Sequence, residues 1–171
     1  MHVTRETVRD QRNWVAERTP VVTDLINETR AGLGDHFDVD VDTVTVDQVD
    51  DAVDAVFADG DRAVNVAAMI AILRDLDVEG DYPGFVVDEL IGRELAATIA
   101  GDQPLRLLAE ATFHYADVRT HGDLDDPEDP EDPGDGAGLD DLDAALAAGF
   151  QTRLPGWSWR ERPSPFALES E

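Results

Sequence analysis

An all-α fold, a single-domain bundle of about six helices around one central apolar helix (62–76), is what this sequence predicts, and three observations predict it. The run Arg62–Leu76, RAVNVAAMIAILRDL, carries no charge between Ala63 and Leu73, and its only strongly polar side chain there is Asn65. At about 100° per residue its apolar groups go nearly all the way round, so such a helix must be wrapped by others. Elsewhere apolar residues recur three and four apart, in stretches separated by capping residues, Gly and Pro. A single segment, 35–44 (DHFDVDVDTV), alternates with the two-residue period of a strand. It has no second strand to pair with, so it reads as an extended connection.

In chain order, Thr4 caps a first helix reaching about Arg18, with a thin apolar stripe of Val8, Trp14 and Val15 and Gln11 between them. Thr19-Pro20 reads as a restart, a capping residue followed by proline at a first helical position. The second helix, about 20–31, would bury Val21, Val22, Leu25 and Ile26 and stop at Gly32-Leu33-Gly34. Thr45 and Gln48 have capping-box spacing and open a helix that turns Val49, Val53, Val56 and Phe57 inward. Asp59-Gly60-Asp61 is a turn before the central helix. After a break at Gly80–Gly84, a helix from Phe85 to about Ala100 closes at Gly101, and Pro104 starts another that reaches about His121.

Residues 123–138, DLDDPEDPEDPGDGAG, hold repeated Asp-Pro pairs and nothing that packs, the composition of a disordered acidic linker. A short helix, Leu139 to about Ala148, leads into an extended aromatic tail with Trp157, Trp159 and Phe166. The expected organisation is a helical bundle over 1–122, the linker over 123–138, and a segment over 139–171 that packs back on the bundle.

Charge narrows the function classes. The chain has 39 acidic and 13 basic residues, all 13 of them arginine, and a formal charge of −26. With the abundance of Asp, Ala and Val, this composition resembles cytoplasmic proteins of salt-accumulating archaea, where concentrated salt screens the self-repulsion. Residues 1–30 carry five arginines and five acids, and residues 151–171 three of each, so the whole excess lies in 31–150. Neutral ends on an acidic body predict segments that pack on each other, on a second copy or on another protein. There is no cysteine, hence no disulfide or thiolate chemistry. The opening MHVTRETVRDQR lacks a secretory pattern, and no apolar run approaches the ~18–20 residues that span a bilayer. The expected location is the cytoplasm, with no membrane association.

Four groups of residues are candidates for function. Glu110, His114, Asp117 and His121 share one helical face at spacings of four, three and four, which suits a metal. They project away from the apolar face of Leu105, Leu108, Ala111, Thr112, Tyr115 and Val118, and no second helix offers a matching pair, so a solvated polar face is the expected reading. Glu94, amid Val87, Leu90, Ile91, Ala97 and Thr98, and Arg119, among Leu105, Leu108, Thr112 and Tyr115, are charges on apolar faces. A charge forced into a core needs a partner, so a buried Glu94–Arg119 contact is predicted, as a registry device or an interior catalytic pair. Asn65 is expected to be a satisfied core amide.

Arg5, Arg9 and Arg12 line one side of the first helix, and pairing with the acidic body is expected over contact with phosphate. A −26 chain repels a polyanion, and strong salt weakens phosphate contacts. The segment 88–111 has the outline of a helix-turn-helix but no basic recognition helix. The fourth group is the tail: Trp157, Trp159, Arg160 and Phe166 are candidate partner-binding residues, with folding back on the bundle the first expectation. Phosphate loops, nucleophile elbows and zinc spacings are not found in the sequence, and no cofactor is implied. The resulting expectation is a non-enzymatic interaction or regulatory module. A helical enzyme or metal protein is second, and a nucleic-acid-binding regulator third.

Overall fold

The two helices expected on either side of Pro20 are one. In the computed structural model, α1 runs unbroken over Arg5–Phe37, about 50 Å at 1.5 Å per residue. Proline lacks the N–H that would bond the carbonyl of Ala16. The Thr19 hydroxyl donates to that carbonyl at 3.0 Å instead, so the residue expected to cap a new helix mends the old one. Gly32 and Gly34 lie inside α1, whose end comes at Asp38 in the left-handed conformation (φ 52°). The structure describes residues 1–76, 87–120 and 139–157, without the side chains of Arg119, Thr120 and Asp140. The acidic linker 123–138 therefore lies outside the described residues.

Among the described residues there are α-helices, one 3-10 turn and no strand, so the all-α class holds. The helices are α2 (Val46–Ala58), α3 (Gly60–Asp75), α4 (Val87–Ala100), α5 (Leu105–Thr120) and α6 (Leu139–Phe150), with the 3-10 turn at Gln151–Arg153. Residues 35–37 of the expected connection continue α1 instead, residues 39–45 belong to no helix or strand, and side chains of α1 bond part of their backbone. Asn27 donates to the Val44 carbonyl at 3.0 Å and accepts from the Val44 amide at 2.8 Å. Arg30 donates to the Asp42 carbonyl at 2.8 Å. α2 opens on the expected Thr45–Gln48 capping box and buries Val49, Val53 and Val56.

The central position belongs to α6, not α3. α3 buries one face through Ala63, Val66, Ala67, Ile70 and Leu73, while Val64 is 45% exposed. Asn65 is exposed too, its amide bonded to the Asp61 carbonyl one turn back at 3.0 Å, so it is not a core amide. On α6, by contrast, every residue from Asp141 to Phe150 is buried, and the helix touches all five others. Leu142, Leu146 and Phe150 are fully enclosed, each contributing about 1.5–3 kcal/mol of apolar burial. Besides Asp141 and Asp143, the remaining positions are Ala144, Ala145, Ala147, Ala148 and Gly149, which let neighbouring backbones come close. A Cβ on Gly149 would stand 2.8 Å from the Cβ of Ile99 and 3.0 Å from the Ala96 carbonyl oxygen, so α4 and α6 meet almost backbone to backbone.

The same reliance on small residues turns α4 from its expected orientation. Its buried face is Gly92, Leu95, Ala96, Ala97, Ile99 and Ala100, and Leu90 is 52% exposed. On α5 the core side chains are Ala109, Thr112, Phe113 and Ala116, while Leu107 and Val118 face outward.

Candidate functional site

The sequence-predicted sites fare unevenly. Glu94 is not buried: its side chain is 58% exposed and pairs with Arg106, whose Nη2 lies 2.9 Å from Oε1. The rotation of α4 toward its alanines carries Glu94 out to the surface, so it is not an interior carboxylate. The Arg119 side chain lies outside the described residues. On α5, Glu110 and Asp117 are half-buried, His114 is exposed, and His121 is outside the described residues. Among the described residues no three His, Asp or Glu side chains are gathered as metal ligands. Trp159, Arg160 and Phe166 are outside the described residues as well.

Trp157 is buried, and its ring is engaged inside the molecule by a residue the sequence reading passed over. Arg30 is 1% exposed. Its guanidinium donates to the carbonyls of Asp42 (2.8 Å), Pro155 (2.8 Å) and Gln151 (3.0 Å) and lies 5.5 Å from the centre of the Trp157 ring. One cation so joins α1, the 39–45 connection and the residues after α6. Gly156, with φ +105°, passes so close that an added Cβ would meet the Arg30 guanidinium at 3.1 Å. Sequence spacing does contain a signal for Arg30. It follows Val22 and Ile26 at intervals of four and precedes Leu33 by three, a charge on an apolar stripe.

The arginines of α1 divide as the charge pattern suggested, in part. Arg12 pairs with Asp54 of α2, and Arg18 makes a two-pronged pair with Asp143 of α6. Arg18 and Arg74 both stack on Trp14, at 5.1 Å and 4.5 Å from the ring centre. Arg74 also donates to Gln11 at 2.9 Å. Burial first, and then the neighbouring Arg18 charge, hold the Arg74 pKa below its ordinary value, with Glu17 opposing. Among the described residues no carboxylate forms an ion pair with Arg5 or Arg9.

Arg5 instead borders a largely apolar opening. The first turn of α1 is fixed by a reciprocal cap. Thr4 Oγ accepts from the Thr7 amide at 3.1 Å, and Thr7 Oγ accepts from the Thr4 amide at 3.2 Å. That cap sets Val3 and Val8 opposite the corner where α2 hands over to α3. Val3, Thr4, Arg5, Val8, Phe57, Gly60, Ala63 and Val64 line a groove of about 430 Å³ there. Val3, Val8 and Phe57 are half-buried. Among the described residues the only charged side chain in the lining is an arginine, in a chain where acids outnumber arginines 39 to 13. A second cleft of about 410 Å³ lies beside the Trp14 cluster, lined by Met1, Gln11, Ala71, Arg74 and Asp75, with one cation and one anion. Chemically, the first groove offers apolar contact and one uncommitted guanidinium, which suits a peptide side chain next to a carboxylate.

No helix among the described residues is long and apolar enough to cross a membrane. The family model described as Domain of unknown function (DUF7984) matches residues 1–170. No curated protein and no solved structure matches the chain.

Proposed function

The chain belongs to the DUF7984 family, and we propose that it works as a non-enzymatic protein-interaction or regulatory module, cytoplasmic, in a salt-accumulating archaeon. The composition supports the habitat: all-arginine cations, 39 acids and a charge of −26 suit a surface that stays hydrated in concentrated salt. One observation carries the interaction reading, the groove between the start of α1 and the α2–α3 corner. It is open and apolar, and its single charge among the described residues has the sign opposite to that of the molecule. High salt strengthens apolar association and weakens exposed ion pairs, so in that setting an apolar groove with a cationic rim favours a protein partner over nucleic acid.

The test is capture from a native high-salt lysate with the full chain and with its Arg5→Glu and Val64→Glu variants, each checked for unchanged helicity. A protein retained by the parent and lost by both variants is the expected result. Equal recovery on all three would remove the groove from the function, and recovery of nothing on the parent would count against an interaction module altogether.

A further inference from the structure

We propose that the cleft beside the Trp14 cluster binds a free α-amino acid with an aliphatic side chain, its carboxylate on Arg74 and Gln11 and its ammonium on Asp75. The cleft shares no lining residue with the groove, so this inference stands apart from the interaction reading and adds a small-molecule effector to it. Its opening measures about 410 Å³, room enough for a ligand of this size. Arg74 and Asp75 follow one another at the end of α3 and both line the cleft, yet they do not pair with each other. Among the described residues neither forms an ion pair with any other group. A cation and an anion, each without a salt-bridge partner, so stand in one depression.

That lining selects the ligand by charge. A simple anion would meet Asp75 and the field of a −26 chain, and a simple cation would meet Arg74. An α-amino acid carries both charges on one carbon and meets neither obstacle. The carboxylate end is the more firmly built. Gln11 is 9% exposed, and its Oε1 accepts from Arg74 Nη1 at 2.9 Å. With the oxygen engaged, the amide is left with its Nε2 donors, which bond to no described group and are not sealed from solvent. Arg74 is held 4.5 Å from the centre of the Trp14 ring, a cation–π contact that keeps it in place. Burial and the Arg18 charge outweigh Glu17 and lower the Arg74 pKa, so a ligand carboxylate supplies negative charge where the cation is under-supported. Ala71 and Met1 form the apolar part of the lining and suit an aliphatic side chain. Contacts at hydrogen-bond distance withstand salt, because the screening length at 1 M is about 3 Å.

The experiment titrates the full chain with L-leucine in about 1 M potassium chloride, followed by calorimetry. Saturable binding at millimolar concentration is expected, together with a rise in the thermal midpoint by mass action. Arg74→Gln and Asp75→Asn should each weaken it about tenfold or more, with circular dichroism unchanged. Two relatives of leucine separate the charges: 4-methylpentanoate lacks the ammonium and 3-methylbutylamine lacks the carboxylate, and neither should bind the parent. Asp75→Asn removes the group that repels 4-methylpentanoate, so that variant should bind it better than the parent does, a gain that loss of structure cannot produce. Absence of saturable leucine binding to the parent overturns the proposal. So does leucine binding that ignores both variants, or 4-methylpentanoate bound by the parent as well as leucine is, which would make the cleft a plain carboxylate site.

Discussion

α3 and α6 carry the same kind of signal in opposite proportion, and the molecule reverses their expected ranks. α3 is rich in Val, Ile, Met and Leu, the larger aliphatic side chains, and it ends at the side of the bundle with Val64 45% exposed. α6 is short, begins among aspartates and packs four alanines and a glycine into residues 144–149, and it is buried from residue 141 to 150. In a bundle of this size, a helix surrounded by five others must be thin. Bulky side chains on every face would push the neighbours apart and leave voids, and such voids cost stability. Small residues therefore mark the axis of this bundle, and large ones mark a helix that packs through one face.

Several substitutions would break or sharpen that contrast. Gly149→Leu should have the largest effect, because even the first added carbon would stand 2.8 Å from Ile99. We expect loss of the cooperative thermal transition, read by circular dichroism. Leu146→Ala empties a fully enclosed position on α6 and should cost about 2–5 kcal/mol in denaturant unfolding. Asp143→Ala deprives Arg18 of its two-pronged partner at the α1–α6 contact, with an expected cost of about 1–3 kcal/mol, reduced by the partial exposure of Arg18. Val64→Ser on α3 should change stability by no more than about 0.5 kcal/mol. A large loss at Val64 together with a small one at Leu146 would restore α3 to the centre.

Much of the fold was readable from the chain. The Thr4 and Thr45 caps and the inward valines of α2 follow from local rules that tertiary packing leaves alone. Three features were hidden for physical reasons. Thr19-Pro20 has the form of a helix start, and the hydroxyl bond back to Ala16 that occupies the carbonyl left by proline depends on the helix continuing. Hydropathy weights alanine below leucine, so the alanine faces of α4 and α6 were outvoted, and with them the orientation of Glu94. Arg30 was visible by the same reasoning that singled out Glu94 and Arg119, yet its partners are backbone carbonyls, one of them 125 residues away, and no residue type announces a carbonyl. The groove was invisible for a related reason. Arg5 was legible as a cation, but that it sits on an apolar corner depends on how α1 crosses the α2–α3 turn.

The position of α6 also bears on how the protein is made. A ribosome delivers α1 through α5 first, so the earlier helices emerge with the place of their axis still vacant. Arg30 waits with its carbonyl partners at 151 and 155 still to be synthesised. Until they arrive, the faces of α1 to α5 that pack on α6 in the folded chain lack that partner. The acidic charge that opposes association is carried in part by the same helices.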